Sequence, residues 1–239
     1  MNSFFDVSRT AALIGIGAVK KLAESRAAVF GAGGVGGYVC EALARAGVGH
    51  ITVIDGDRVA PSNLNRQIIA IQSTIGRPKA EVMKERILSV NPDCDVTALD
   101  LFYLPENAGL VDFGGFDAVA DCVDTVSAKI EIAIRSKAAG VPVISSMGTG
   151  NKLDPTMFEV ADIYDTTVCP LAKIMKKDLR KRNIEKLKVV YSTEHAINTN
   201  DHPINHDRKF KVKGSTSFVP SVAGLIIAGE VIKDIAENR

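Results

Sequence analysis

A glycine-rich loop at residues 31–36, with the sequence GAGGVG, is the part of this chain best suited to hold a phosphate group. Glycine permits a tight turn and lets backbone N–H groups come close to an anion. The helical pattern that follows adds unpaired N–H groups and a helix dipole to the same site. Asp55 closes the next apolar run 24 residues after Gly31, where a carboxylate reaches ribose hydroxyls. The spacing predicts a nucleotide-binding βαβ unit; the alternative is a turn that only lets helix and strand pack closely.

Charged residues after the second apolar run favour ATP over a dinucleotide. A second carboxylate, Asp57, has no role in a dinucleotide-dependent dehydrogenase. Arg66 and Lys79 supply two positive groups near the glycine loop, which suits the charge that builds on a triphosphate. Lys79 falls in the first turn of a predicted helix, where the helix dipole disfavours a cation. We therefore predict a functional lysine there, with a solvated lysine as the alternative.

Asp124 is a candidate magnesium ligand. It closes the DCVD segment at residues 121–124, directly after a short apolar strand pattern. The carboxyl ends of parallel strands form the ligand crevice of such sheets, and Mg²⁺ is held by one or two carboxylates together with phosphate oxygens and water. A second interpretation is that Asp124 caps the helix that follows, and one carboxylate could do both.

Short motifs in a fixed order resemble the superfamily of ubiquitin-activating-enzyme-like adenylating enzymes, which adenylate a carboxylate with ATP. They are GAGGVG, DGDRV, SNLNRQ, GRPK and DCVDT, and the resemblance covers about residues 6–165. Within that superfamily, further segments resemble the tRNA threonylcarbamoyladenosine dehydratases: ISSMGTGNKLDPT (144–156), DIYDTTVCPLAK (162–173), a basic run ending in LRKR, and GSTSFVPSVAG (214–224). The likeness thus extends over nearly the whole chain.

The resemblance implies a role for each matching residue, with ATP and Mg²⁺ as cofactors. Gly31, Gly33, Gly34 and Gly36 would line the phosphates, Asp55 or Asp57 would hold the ribose, Asn65, Arg66 and Lys79 would contact the triphosphate, and Asp124 would hold Mg²⁺. The catalytic residues would be Arg9, Arg66, Lys79 and Asp124.

The resemblance also implies a homodimer. Arg9 stands where the superfamily has an arginine that reaches into the ATP site of the partner subunit. The family usually has another arginine three residues earlier, where this chain has Asp6. The alternative for Arg9 is an exposed arginine on the first helix.

The leading hypothesis is an enzyme that adenylates the carboxylate of threonylcarbamoyladenosine in tRNA and closes a ring with net loss of water. A first alternative is adenylation of the C-terminus of a ubiquitin-like sulfur-carrier protein. This alternative implies a sulfur-carrier or cysteine-desulfurase system as partner and a working cysteine, for which Cys169 is the candidate. An NAD(P)-binding oxidoreductase explains residues 31–55 but leaves Arg66, Lys79 and Asp124 without a role. A nucleotide-sensing module without turnover is a third alternative.

A basic run is the candidate surface for tRNA. Residues 173–188 hold eight lysines and arginines against two acids, in a chain whose formal net charge is only +1. Within this run Lys173, Lys176, Lys177 and Arg180 share one helix face, and such a stripe suits phosphate-backbone contacts. The alternative is a solvated helix face. Further cations that could contribute are Arg208, Lys209, Lys211 and Lys213.

Composition narrows the class of protein. The chain has 239 residues, of which 46% are apolar and 24% charged, which is typical of a globular protein with a sizeable core. It has no membrane-length apolar stretch and no secretory signal pattern, so we expect a cytoplasmic protein without a membrane partner. Its four cysteines form no CxxC pair, and we therefore expect neither a zinc finger nor a disulfide framework.

These residues need a scaffold of alternating strands and helices. The patterns predict strands at 26–30, 50–55, 95–101, 118–121 and 141–145, a strand at 156–163, and helices at 6–25, 36–46, 78–90, 125–139, 169–182 and 218–236. Gly15 and Gly17 predict a break within the first of these helices. Such alternation indicates a Rossmann-like α/β fold, with a mostly parallel sheet and helices on both faces. We expect one domain over 1–239, with a nucleotide-binding core (26–150), a substrate-facing segment (151–217) and a C-terminal helix (218–239).

Overall fold

The computed structural model describes residues 5–199 and 212–237. Within these residues a seven-stranded sheet runs in the order β3-β2-β1-β4-β5-β7-β6. Its strands are β1 (Arg26–Phe30), β2 (His50–Ile54), β3 (Asp95–Leu99), β4 (Ala118–Asp121), β5 (Val143–Ser146), β6 (Phe158–Asp162) and β7 (Lys188–Ser192). The β6 edge strand runs antiparallel to β7, and the other neighbouring pairs are parallel. The predicted Rossmann-like α/β fold is confirmed.

Helices cover both faces of the sheet. They are α1 (Ser8–Ile14), α2 (Ile16–Glu24), α3 (Gly36–Ala46), α4 (Lys79–Val90), α5 (Val126–Ala139), α6 (Pro170–Lys181) and α7 (Val219–Glu237). Alternate residues of β1 join different clusters, because successive side chains of a strand point to opposite faces. Ala27 and Val29 pack with residues of α3, α4 and α7, whereas Ala28 and Phe30 pack with residues of α5. Burial on both faces explains why β1 reads as a continuous apolar run.

Strand register brings the three predicted ligand-binding turns to one edge of the sheet. Phe30, the last residue of β1, is aligned with Ile54 at the end of β2 and with Asp121 at the end of β4. The chain therefore leaves all three strands side by side. Strands β2 and β3 lie on one side of β1, and β4 pairs with β1 on the other side. Open α/β sheets bind ligands at such a reversal of strand order.

The structure corrects several details of the sequence prediction. β7 was not predicted, yet it inserts between β5 and β6 and so places part of the 151–217 segment within the sheet. The break predicted in the N-terminal helix is confirmed at Gly15, which has φ = 88°, but Gly17 lies inside α2. The strand predicted at 156–163 begins with a 3-10 turn at Pro155–Met157 and becomes extended only from Phe158.

Some predicted tRNA-binding cations, Arg208, Lys209 and Lys211, lie outside the described residues. Within residues 5–199 and 212–237, no helix combines the length and the hydrophobicity needed to cross a bilayer.

Candidate active site

A cavity of about 640 Å³ opens at the edge where β1, β2 and β4 end. It is lined by eight of the predicted site residues: Gly31, Gly33, Gly34, Asp55, Asp57, Arg66, Lys79 and Asp124. Three others, Gly36, Asn65 and Arg9, are not among its lining residues. Most residues that were predicted from separate motifs therefore meet around one space.

The glycine loop is shaped by two positions that exclude a side chain. Gly31 has φ = 87°, and a Cβ atom there would lie 2.9 Å from the backbone oxygen of Cys122. A Cβ atom on Gly36 would lie 1.7 Å from the carbonyl oxygen of Gly31. Gly36 is buried at the first residue of α3, beneath the loop. The structure thus corrects its predicted place: Gly36 lets the turn close but does not line the cavity.

Asp55 braces the glycine loop from the end of β2. One carboxylate oxygen accepts a hydrogen bond from the Ala32 N–H at 2.6 Å, and the other accepts from the Asp57 N–H at 2.8 Å. Burial raises the pKa of Asp55, although the nearby Lys79 ammonium and these two N–H donors act in the opposite direction. The carboxylate is therefore fixed in orientation where it meets the cavity.

Lys79 is buried, so the alternative of a solvated lysine is wrong. It keeps only 6% of its surface exposed, and its Nζ lies 2.8 Å from a carboxylate oxygen of Asp57. Its backbone N–H donates to the Asp57 carbonyl at 2.9 Å, and the Val59 N–H donates to the Arg77 carbonyl at 2.9 Å. These bonds tie the start of α4 to the chain leaving β2, which fixes the ammonium at the cavity wall.

Arg66 lies across the glycine loop. Its Cγ would lie 3.4 Å from a Cβ atom on Gly34, and its guanidinium donates to the Ser62 carbonyl at 2.8 Å and to Oδ1 of Asn65 at 2.9 Å. Asn65 in turn donates to the Ser215 carbonyl at 3.0 Å. Among the described residues Arg66 has no ion pair. Its positive charge remains available, whereas Asn65 acts here as a brace between two loops.

Asp124 presents a free carboxylate to the cavity. It is exposed and makes no hydrogen bond or ion pair with the described part of the chain. The residue that caps α5 is Thr125, and no side chain makes a capping hydrogen bond there. The alternative role of Asp124 as a helix cap is therefore wrong, and its oxygens remain free for a ligand.

A buried network beneath Asp124 was missed by sequence reasoning. Lys129 and Asp121 are 0% and 1% exposed at their side chains and form an ion pair of 3.0 Å. The Ser145 hydroxyl donates to the same Asp121 oxygen at 2.5 Å, and Lys129 Nζ also donates to the Val123 carbonyl at 3.0 Å. These bonds hold the turn between β4 and α5, which carries Asp124.

Part of the cavity wall is built by the segment that follows β5. Residues 148–152 line it together with Cys169, Leu171, Ile174 and Lys213. Asn151 adopts φ = 58°, its N–H donates to the Gly214 carbonyl at 2.8 Å, and its Oδ1 accepts from the Gly214 N–H at 2.5 Å. The ISSMGTGNKLDPT motif covers residues 148–152 and contributed to the resemblance to the dehydratases, but sequence reasoning assigned a role here only to Cys169 and Lys213.

The predicted basic stripe on α6 divides into two pairs. Lys176 donates to the carbonyl oxygens of Tyr164 and Thr166 at 3.3 and 2.7 Å, and the Arg180 guanidinium lies 5.1 Å from the centroid of the Tyr164 ring. Lys173 and Lys177 are exposed and have no such partner in the described chain. The structure therefore leaves Lys173 and Lys177 as the pair that can meet a nucleic acid without breaking a contact.

Arg9 is exposed on α1, a helix without buried residues. Apolar side chains next to it are also exposed, with Leu13 at 86% and Ile16 at 64%. Arg9 does not line the cavity of its own chain.

The arrangement is suited to binding a polyphosphate and stabilising negative charge on it. Glycine-loop N–H groups, two cations and a free carboxylate converge on one space, as preorganised charge stabilisation requires. A dinucleotide-dependent oxidoreductase gives Arg66, Lys79 and Asp124 no role, although the structure brings all three to the cavity.

The chain is similar to known proteins over nearly its whole length. The chain matches the ThiF family over residues 7–238. It is 42% identical over 240 residues to the tRNA threonylcarbamoyladenosine dehydratase of Bacillus subtilis, a match that covers 97% of this chain and 94% of that protein. A crystal structure of the Escherichia coli tRNA N6-threonylcarbamoyladenosine dehydratase in complex with ATP has a TM-score of 0.87 and 33% identity, covering 97% of this chain and 93% of that chain.

Similarity to an enzyme of different specificity is shorter. The molybdopterin-synthase adenylyltransferase of E. coli is 34% identical over 142 residues, which covers 59% of this chain and 56% of that protein.

Proposed function

The chain belongs to the ThiF family, and from this premise we propose that it is an ATP-dependent tRNA threonylcarbamoyladenosine dehydratase. The observation that carries the proposal is the match to a dehydratase over 97% of this chain and 94% of the relative. The molybdopterin-synthase adenylyltransferase matches only 59% of the chain. Adenylation of a sulfur-carrier protein therefore remains the second candidate.

The reaction has two steps, both of which avoid an enzyme nucleophile. A carboxylate oxygen of threonylcarbamoyladenosine attacks the α-phosphorus of ATP, and pyrophosphate leaves. A nitrogen within the same modified nucleoside then attacks the activated carbonyl carbon, a ring closes, and AMP leaves with the carboxylate oxygen. The net change in the tRNA is the loss of one water molecule.

The residues at the glycine-loop end stabilise the charge that the first step creates. Backbone N–H groups at Gly33 and Gly34 bind phosphate oxygens, and Asp55 or Asp57 binds the ribose hydroxyls. Arg66 and Lys79 stabilise the charge on the phosphates as the bond to pyrophosphate breaks. Lys79 is held for this role by its contacts with Asp57.

Asp124 is the carboxylate that fits a magnesium ion. Asp57 is paired with Lys79 and Asp55 with backbone N–H groups, whereas Asp124 is free. No cluster of three or more His, Cys, Asp or Glu side chains forms among the described residues, so a metal held here depends on phosphate oxygens as well. Bound Mg²⁺ supplies charge neutralisation at the phosphates.

A single assay tests the proposal. The enzyme is incubated with ATP, Mg²⁺ and tRNA that carries threonylcarbamoyladenosine, and the nucleosides are analysed by mass spectrometry. We expect ATP-dependent loss of the mass of one water from that nucleoside. Turnover that requires a carrier protein with a free C-terminus and is abolished by Cys169→Ser would favour the sulfur-carrier candidate, and tight NAD binding without ATP binding would reject both.

We further propose that two copies of the chain assemble with shared sites. Arg9 does not line the cavity of its own chain, and its helix, α1, has no buried residue. Leu13 of α1 and Ile16 at the start of α2 are also exposed. A second copy that covers these apolar side chains would bring Arg9 to the neighbouring ATP site. The contact is isologous, as in most homodimers.

Subunit mixing tests the shared site. Arg9→Ala and Lys79→Ala are each expected to be nearly inactive alone. After exchange, a mixed dimer carries one site with neither substitution, so activity should reappear. Exchange is followed by native mass spectrometry, and mixing Lys79→Ala with Arg66→Ala is the control, because both changes fall on the same side of the site and no intact site can form. Equal recovery in both mixtures, or none in either after exchange, argues against the role of Arg9.

Charge reversal on α6 tests the tRNA surface. Lys173→Glu with Lys177→Glu should weaken tRNA binding and lower the slope of log K against log salt by about 0.7 to 0.9 per lost phosphate contact. ATP affinity should not change. The control is the double variant Lys20→Glu with Arg26→Glu. It makes the same change of charge on α2, which carries Lys20, and at the start of β1, which begins with Arg26. Identical slopes for the two double variants would place the tRNA elsewhere.

A further inference from the structure

Lys152 is a buried cation in the part of the cavity wall that follows β5. It keeps 7% of its surface exposed and lines the cavity. Its ammonium donates to the carbonyl oxygen of Glu194 and makes no other hydrogen bond and no ion pair with the described residues. An ammonium has three donors, so two of them lack a partner among the residues that the structure describes.

Such a cation is unfavourable unless a partner arrives. Burying a charge away from water is costly when no opposite charge compensates it. Lys79, the other buried lysine of this cavity, pairs with the Asp57 carboxylate at 2.8 Å. Lys129, in the buried network below Asp124, pairs with the Asp121 carboxylate at 3.0 Å. Within residues 5–199 and 212–237, Lys152 has no such carboxylate. The difference points to an anion that comes from outside the chain.

The backbone around Lys152 is held firmly. The N–H groups of Leu153 and Asp154 donate to the Glu194 carboxylate at 2.9 and 3.0 Å, and the preceding residue, Asn151, is bonded to Gly214. The Glu194 carboxylate is thus occupied by backbone donors, while its carbonyl holds the ammonium. The side chain is anchored at both ends, which suits a residue that orients a ligand.

We propose that Lys152 binds the carboxylate that is to be adenylated, the one on the threonylcarbamoyl group of the tRNA. This inference rests on the proposed function. The phosphates have Arg66, Lys79 and the glycine loop, and the anionic group of the second substrate requires a further cation in the same cavity. Lys152 thereby selects a carboxylate-bearing nucleoside and directs one of its oxygens to the α-phosphorus.

The test compares Lys152→Gln with Lys152→Arg and with the matched control Lys137→Gln. Lys137 also donates to a backbone carbonyl, that of Asn183 at 2.6 Å, but it is exposed and does not line the cavity. Each protein is titrated with ATP, with unmodified tRNA, with tRNA carrying threonylcarbamoyladenosine, and with the same tRNA after methyl esterification of the carboxylate. KM and kcat for the modified tRNA are measured in parallel.

Lys152→Gln should raise KM for the modified tRNA about tenfold to a hundredfold, which is typical of a lost hydrogen bond to a charged group. Its affinities for ATP, unmodified tRNA and the ester should match those of the wild type. Lys152→Arg should restore most of the affinity, and Lys137→Gln should not differ from the wild type. If Lys152→Gln fails to fold, the affinities for the modified tRNA and for its methyl ester are compared in the wild type and in Lys152→Arg. A preference for the modified tRNA over the ester then reports whether the carboxylate is recognised.

The outcomes separate the inference from the proposed function. A wild-type protein that binds ATP but neither dehydrates the modified tRNA nor prefers it overturns the proposed function. A wild-type protein that is active, with Lys152→Gln keeping the preference for the carboxylate over the ester, overturns only the role of Lys152. Loss of ATP affinity in Lys152→Gln also overturns the role of Lys152, because it would mean that the ammonium binds a phosphate of ATP and not the carboxylate of the tRNA.

Discussion

Replacing Lys79 with alanine is expected to lower the rate of adenylation by about 10²- to 10³-fold, the effect of removing one preorganised charge stabiliser. The Lys79 side chain is only 7% exposed, and the hydrogen bonds between the start of α4 and the chain leaving β2 fix the position of the residue. A group held in this way needs no reorganisation when charge builds on the phosphates. The rate of pyrophosphate release in a single turnover measures the effect directly.

Stability should change much less than rate in this variant. Asp57, the partner of Lys79, keeps 57% of its side chain exposed, so water can solvate the carboxylate that is left behind. Lys84→Ala on the same helix is the matched control, because Lys84 does not line the cavity. Lys79→Arg should recover only part of the rate, since a guanidinium does not reproduce the compact ammonium. A folded Lys79→Ala enzyme with the wild-type rate would reject the proposed role.

Much of the nucleotide half could be predicted because its signals are local. The loop glycines are demanded by backbone geometry within a few residues, as Gly31 and Gly36 show. Asp55 stands at a fixed distance because the βαβ unit has a typical length. Once the sheet was known to be parallel, the ends of β1, β2 and β4 had to meet, and the residues after them had to share one crevice.

The substrate half was harder to predict because its chemistry depends on contacts between distant segments. Lys152 owes its contact with the Glu194 carbonyl to a segment more than forty positions away along the chain. The periodicity of α6 grouped four cations on one face, but it carried no information on Tyr164. Its carbonyl oxygen accepts a hydrogen bond from Lys176, and its ring centroid lies 5.1 Å from the Arg180 guanidinium. β7 is a five-residue strand without flanking turn signals, and only its pairing with β5 and β6 identifies it.

The other large effect is expected at Lys129, through stability. Lys129→Met should lower the free energy of unfolding by about 3 to 5 kcal/mol, as when one partner of a buried ion pair is removed. Asp121 would remain 99% buried with the Ser145 hydroxyl and the Val123 N–H as donors but without a counter-ion. Urea unfolding measures the change, and Lys137→Met on the same helix, which is exposed, should be nearly neutral.

A double variant separates the two consequences of this pair. Lys129→Met with Asp121→Asn leaves no buried charge, so most of the lost stability should return. The Val123 carbonyl nevertheless loses its donor, and the turn that carries Asp124 loses the contact that fixes it to α5. We therefore expect kcat to stay low in the double variant although its unfolding midpoint recovers. Full recovery of both kcat and the unfolding midpoint in the double variant would show that the network stabilises the core without positioning Asp124. If Lys129→Met alone is as stable as the wild type, the ion pair does not stabilise the fold.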